Sequence, residues 1–74
     1  MERNIQATKQ KYWQEIVSKV KEERKRRGIT QKRLSAITGV STQTISRFEQ
    51  SKEDIQLSTV LKILESFGMR LNLY

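Results

Sequence analysis

Residues 30–49 read Thr30-Gln31-Lys32-Arg33-Leu34-Ser35-Ala36-Ile37-Thr38-Gly39-Val40-Ser41-Thr42-Gln43-Thr44-Ile45-Ser46-Arg47-Phe48-Glu49, and this stretch decides the fold. Thr30 and Ser41 carry hydroxyls of the kind that accept a backbone hydrogen bond at the start of a helix. Each opens a short helical segment: about residues 31–38 with Leu34 and Ile37, and about residues 42–50 with Ile45 and Phe48 inward. Between them Gly39-Val40-Ser41 leaves room only for a turn, and a glycine there suits the left-handed backbone that ends a helix. Two short helices joined by a tight glycine-containing turn make a helix-turn-helix. Small Ser35 lets the two helices approach, and Val40 and Ile45 pack the second against the first. Thr42, Gln43, Ser46 and Arg47 are left outside on the N-terminal half of the second helix, the part that enters a DNA major groove in this motif.

Upstream, Trp13, Ile16, Val17 and Val20 recur at three- and four-residue spacing, which predicts a helix over about residues 9–27 with one buried stripe. Lys19, Lys21, Lys25, Arg26 and Arg27 cover its other sides, and basic residues in the last turn suit the negative end of the helix dipole. Residues 1–8 are mostly polar, with Ile5 and Ala7 as exceptions, and are expected to be loose. Downstream, a polar loop over residues 51–56 leads to a further helix, where Leu57, Val60, Leu61, Leu64 and Phe67 form the strongest helical stripe in the chain. The period then changes. Met69, Leu71 and Leu73 alternate with Arg70, Asn72 and Tyr74, which is strand patterning. A lone strand leaves its backbone groups unpaired. The simplest partner is the same segment of a second subunit, giving an antiparallel ribbon about a two-fold axis. Residues 3–8 of the same chain are a weaker alternative partner, and a frayed tail is the third. The chain divides accordingly into an extension (1–8), a DNA-binding domain (9–68) and a dimerisation strand (69–74).

Size and composition fit this plan. With 74 residues, 35% of them apolar, the chain holds one small core, and domains of this size often gain stability by oligomerising. It has no cysteine, so no disulfide framework is expected. No apolar run approaches the ~18 residues that cross a bilayer, and no signal-peptide core follows Met1. A cytoplasmic protein of a bacterium or phage is expected, with no membrane partner.

The net charge of +7 is unevenly placed: residues 1–33 hold eleven Lys and Arg against four Glu, and residues 34–74 hold four of each sign. One basic side points to a polyanion, with nucleic acid ahead of an anionic membrane, although a solvated charged helix would look the same. Enzyme chemistry is poorly supplied, with no His, no Cys and no phosphate-cradling glycine loop. The adjacent acids Glu22–Glu23 and Glu53–Asp54 lie in polar stretches that read as solvated surface. Neither catalysis, a metal nor a cofactor is expected.

Residues 30–49 as a whole resemble the Cro/C1-type (XRE) helix-turn-helix family. The likeness runs back through Val20-Lys21-Glu22-Glu23-Arg24-Lys25-Arg26-Arg27-Gly28-Ile29 and forward through the last helix, about two-thirds of the chain. The departures are mild. Ser35 replaces the usual Ala, Ile37 stands where a charge is common, and Ser51 replaces the Gly that often follows the second motif helix. Within the family the chain is similar to HipB-like antitoxins, through Ile45-Ser46, Phe48-Glu49, residues 61–66 and the short closing segment. The resemblance implies an all-α fold: a compact four- to five-helix, lambda-repressor-like DNA-binding domain, with a short C-terminal β-strand pairing across a homodimer. It implies a repressor of its own operon, acting at palindromic operators, and a kinase-fold toxin as partner.

Gln43 is the leading base contact, because a Gln amide can pair bidentately with adenine. Arg47, one turn on, is within reach of guanine or a phosphate. Thr42 and Ser46 can bond bases or phosphates, and Ser41 divides its role between capping and the DNA backbone. Gln31 begins its helix where backbone N–H groups face a phosphate, and by resemblance it clamps the DNA backbone. Lys32, Lys52 and Arg33 are expected on phosphates. By resemblance Arg24 pairs with Glu49 as a structural ion pair, with Arg24 on a phosphate as the alternative. Trp13 and Phe48 fall on apolar stripes and read as core. Met69, Leu71 and Leu73 are the expected dimer contacts. Two other readings remain open: a module whose main role is to hold a partner protein, and general nucleic-acid or RNA binding through the basic first helix.

Overall fold

Helical periodicity and capping chemistry produce four helices. The structure, a computed structural model, describes residues 5–71, with side chains for residues 9–71. The elements are α1 (Ile5–Arg26), α2 (Gln31–Thr38), α3 (Thr42–Glu49) and α4 (Leu57–Ser66). Helix α1 begins four residues before the expected Lys9, so half of the segment expected to be loose is helical. Residues 5–8 contain neither Gly nor Pro, and extending an existing helix is far easier than nucleating one. No helix among the described residues is long and apolar enough to cross a membrane.

One core joins all four helices. Val17 and Val20 of α1, Leu34 of α2, Val40 of the turn, Ile45 and Phe48 of α3, and Val60, Ile63 and Leu64 of α4 are buried together with Phe67. Trp13, Ile16, Ile29, Ile55, Met69 and Leu71 pack around them, half-buried. The Trp13 ring meets Phe48 edge-on, with centroids 5.5 Å apart and planes at 87°: Phe48 is core as expected, and Trp13 packs half-buried on its edge. Ile37 points outward and is 50% exposed.

Two differences from the sequence reading matter for function. In α4 the buried side is Val60, Ile63, Leu64 and Phe67, whereas Leu57 and Leu61 are exposed. Leu57, Leu61, Leu64, Met69 and Leu71 line an open groove of about 740 Å³. The ten residues of α4 include Leu57, Val60, Leu61, Ile63 and Leu64, which fall on more than one stripe, and a single core of this size covers only one. The expected C-terminal strand is also missing among the described residues. The backbone N–H of Met69 bonds the Leu64 carbonyl (2.9 Å) and that of Gly68 bonds Glu65 (3.0 Å), the Schellman arrangement that ends a helix. This turns the chain so that Met69 and Leu71 rest on the core instead of extending. Leu73, the third expected strand contact, lies outside the described residues.

Candidate nucleic-acid interface

The interface is built by capping both motif helices. Thr30 Oγ1 accepts from the Arg33 N–H at 3.0 Å, and Ser41 Oγ accepts from the Thr44 N–H at 3.1 Å while donating to Thr44 Oγ1 at 2.9 Å. Gly39 ends α2 at φ 76°, its N–H on the Ser35 carbonyl at 2.8 Å. Thr38 fixes the turn further: its hydroxyl donates to the Leu34 carbonyl (2.8 Å) and accepts from the Val40 N–H (3.1 Å). With the turn set, Ile45, Phe48 and Glu49 go inward. Thr42, Gln43 and Arg47 are exposed and Ser46 is half-buried, so the four residues expected to face DNA share one side of α3. Gln50 continues that side, exposed, with its Nε2 donating to Ser46 Oγ at 3.0 Å. Sequence reasoning passed over Gln50, although its spacing from Gln43, Ser46 and Arg47 puts it on their helical face.

Beneath this face lies the network expected from Arg24 and Glu49. Arg24 donates to Glu49 through Nε (2.6 Å to Oε2) and Nη2 (2.8 Å to Oε1), and through Nη1 to the Ile29 carbonyl (2.8 Å). The two side chains are only 12% and 4% exposed. Gln31 joins them, its Nε2 donating to Glu49 Oε1 at 3.1 Å. The amide expected on a phosphate is therefore half-buried and partly committed to Glu49. The cause is spatial: the buried carboxylate has acceptor capacity beyond Arg24, and the start of α2 is the neighbour able to fill it. Burial alone would push the Glu49 carboxyl up. Hydrogen bonds from Arg24 and Gln31, with Coulombic attraction to Arg24 and Lys21, outweigh burial and hold it below its ordinary value.

The rim is charged. Lys32 and Lys52 are exposed, as is Arg33. Arg47 is 50% exposed and bonds Asp54 in the loop after α3, Nη2 to Oδ2 at 2.6 Å. Lys9 reaches the neighbouring Glu53 at 3.1 Å. Not all of the basic charge of α1 is free. Glu23 binds both Arg26 (Nε at 3.0 Å) and Arg27 (Nε at 2.7 Å), and those hydrogen bonds hold its carboxyl down at about 2. The Arg27 guanidinium also lies 5.1 Å over the Phe67 ring, tying the end of α1 to the end of α4.

A tight turn, two capped helices and a polar outer side on the second are what a helix-turn-helix requires. A family model described as helix-turn-helix matches residues 20–73. The chain belongs to the XRE-type helix-turn-helix family. It is also similar to a Haemophilus influenzae protein described as an uncharacterized HTH-type transcriptional regulator, with 38% identity over 50 residues. The aligned region is 68% of this chain and 51% of that relative, so the chain spans about half the length of the protein it matches. No solved structure matches the chain. The family match leaves out residues 1–19, which hold most of α1.

Proposed function

We propose that this chain is a sequence-specific DNA-binding transcriptional regulator, a binding protein and not an enzyme, that lays α3 in the major groove. The observation that carries this reading is the outer side of α3. Thr42, Gln43 and Arg47 stand exposed on a helix whose opposite side is buried, so their positions are set by the core and not by the DNA. Gln43 reads a base, Arg47 contributes a second contact, and Thr42, Ser46 and Ser41 add hydrogen bonds at the groove edge. Lys32 and Lys52 hold phosphates, and Gln31 does so through the amide hydrogen that Glu49 leaves over.

Selection of bound sites from random duplex DNA tests the reading. The expected result is an enriched inverted repeat, because a two-fold dimer would place one α3 in each of two major grooves about 34 Å apart. Against that site, Gln43→Ala should lose ~1–3 kcal/mol of base discrimination, whereas Lys32→Ala should weaken all duplexes alike and flatten the salt dependence. Equal binding of Gln43→Ala and the parent chain to the enriched site would remove Gln43 from direct readout.

A finer reading is favoured by the open apolar groove of Leu57, Leu61, Met69 and Leu71. A second copy of the chain covers it about a two-fold axis. The resemblance to HipB-like antitoxins further supports an autoregulating repressor that binds a kinase-fold toxin. Co-purification with the product of a neighbouring kinase-like gene would support the toxin partner, and its absence from the native complex would remove it.

A further inference from the structure

The loop after α3 places a carboxylate against the one arginine on the recognition side. Asp54 Oδ2 lies 2.6 Å from Arg47 Nη2, and the two side chains are 64% and 50% exposed. The contact uses a single guanidinium nitrogen, so among the described residues Nε and Nη1 remain available to another acceptor. The pair belongs to the surface and is easily opened, as exposed pairs are worth little. It contributes little to stability.

We infer that Asp54 is a specificity-determining residue: it holds Arg47 beside a fixed negative charge, so that Arg47 accepts a neutral base edge and rejects a phosphate. The inference rests on the DNA reading of α3 given above. A phosphate brought to the free N–H groups of Arg47 comes close to the Asp54 carboxylate, and two anions then compete for one cation. Guanine offers O6 and N7, which are acceptors without net charge, and meets no such repulsion. Since discrimination is a difference of two affinities, a carboxylate that weakens the wrong contact sharpens the right one. The adjacent Glu53 holds Lys9 at 3.1 Å, so both acids of this loop restrain cations of other elements.

The test uses the full chain with four versions: parent, Asp54→Asn, Arg47→Gln and the double variant. Two probes are used, a duplex enriched by the parent chain from a random pool and a scrambled duplex, each titrated at several salt concentrations. Asp54→Asn is expected to bind the scrambled duplex about 2–5-fold more tightly. Its slope of log affinity against log salt should steepen by about 0.9, one newly engaged phosphate. Affinity for the enriched duplex should change less, so the specificity ratio falls. In the Arg47→Gln background the same substitution should move both duplexes equally, leaving only the effect of net charge. The inference is overturned if Asp54→Asn moves both duplexes alike in the parent, moves neither, or keeps its preference for scrambled DNA when Arg47 is gone. If the parent enriches no sequence, the DNA reading itself fails. Circular dichroism checks folding, and Asp54→Ser provides a second carboxylate-free variant.

Discussion

Ser51 occupies a backbone conformation that glycine would hold more comfortably. Its φ is 64°, and its N–H bonds Phe48 (3.0 Å) while that of Lys52 bonds Arg47 (3.1 Å), the same cap that closes α1 and α4 on glycines. Left-handed backbone costs a non-glycine residue about 1–2 kcal/mol, whereas glycine's extra freedom in the unfolded chain gives back about half of that. Ser51→Gly should therefore stabilise the protein by about 0.5 kcal/mol, read as a melting temperature a few degrees higher. Gly39 has the converse geometry, with φ 76° and open space where a Cβ would project, so Gly39→Ala should destabilise by about 1 kcal/mol through backbone strain alone. Equal and same-signed shifts from the two variants would contradict this account. At this scale the sequence was partly legible. The odd residue at 51, the hydroxyl caps and the outward positions of Thr42, Gln43 and Arg47 could be read from spacing and turn chemistry. The partners of Gln31 and Arg47 could not, because Glu49 is 18 residues from Gln31 and Asp54 lies across a loop, and only the fold brings them together.

Between elements, the Arg24–Glu49 pair fastens α1 to the recognition helix, and Gln31 adds α2. Removing Arg24 leaves a carboxylate that is 4% exposed without its cation, which should cost about 3 kcal/mol at neutral pH. The pH dependence supplies a sharper check. In the parent protein the folded-state carboxyl of Glu49 ionises below its ordinary value of 4.5. Its stabilising contribution is thus complete above pH 4.5 and is lost as pH falls through the folded-state value. In Arg24→Ala the lowering hydrogen bonds are reduced and burial pushes the carboxyl up, so acid now favours that fold relative to the parent. Denaturant midpoints of the two proteins should differ most at pH 7 and converge below about pH 4.5. A gap that stays constant over that range would show that Glu49 is not the group left stranded. The helices themselves were readable because α2 and α3 each pair a hydroxyl cap with inward apolar residues, while α4, which has no side-chain cap, carries the strongest apolar stripe. The start of α1 was not, since residues 5–8 carry no stop signal and no apolar stripe to announce a helix. The exposed face of α4 was hidden for the opposite reason: Leu57 and Leu61 fit the helical period as well as Val60 and Leu64 do, and periodicity cannot say which stripe the core takes.

For the molecule as a whole, the question is what covers that second stripe. A 74-residue chain has one small core, and the groove of Leu57, Leu61, Met69 and Leu71 is an apolar surface left over beside it. If two copies meet there, folding and association are linked and the melting temperature depends on concentration. A tenfold rise in concentration adds about 1.4 kcal/mol per dimer, which for two chains of this length corresponds to about 4 °C. Leu61 is 39% exposed in the single chain, so Leu61→Lys should leave the fold intact while placing two like charges at the two-fold axis. The parent protein is expected to sediment as a dimer with a concentration-dependent melt, and the variant as a folded monomer whose melt no longer moves. DNA binding gives the independent readout. A monomer engages one half-site, so the variant should lose most of its affinity for an inverted repeat yet match the parent on an isolated half-site. Should the parent itself melt at one temperature across a hundredfold range of concentration, the groove does not hold a second copy, and α3 must find its half-sites one chain at a time.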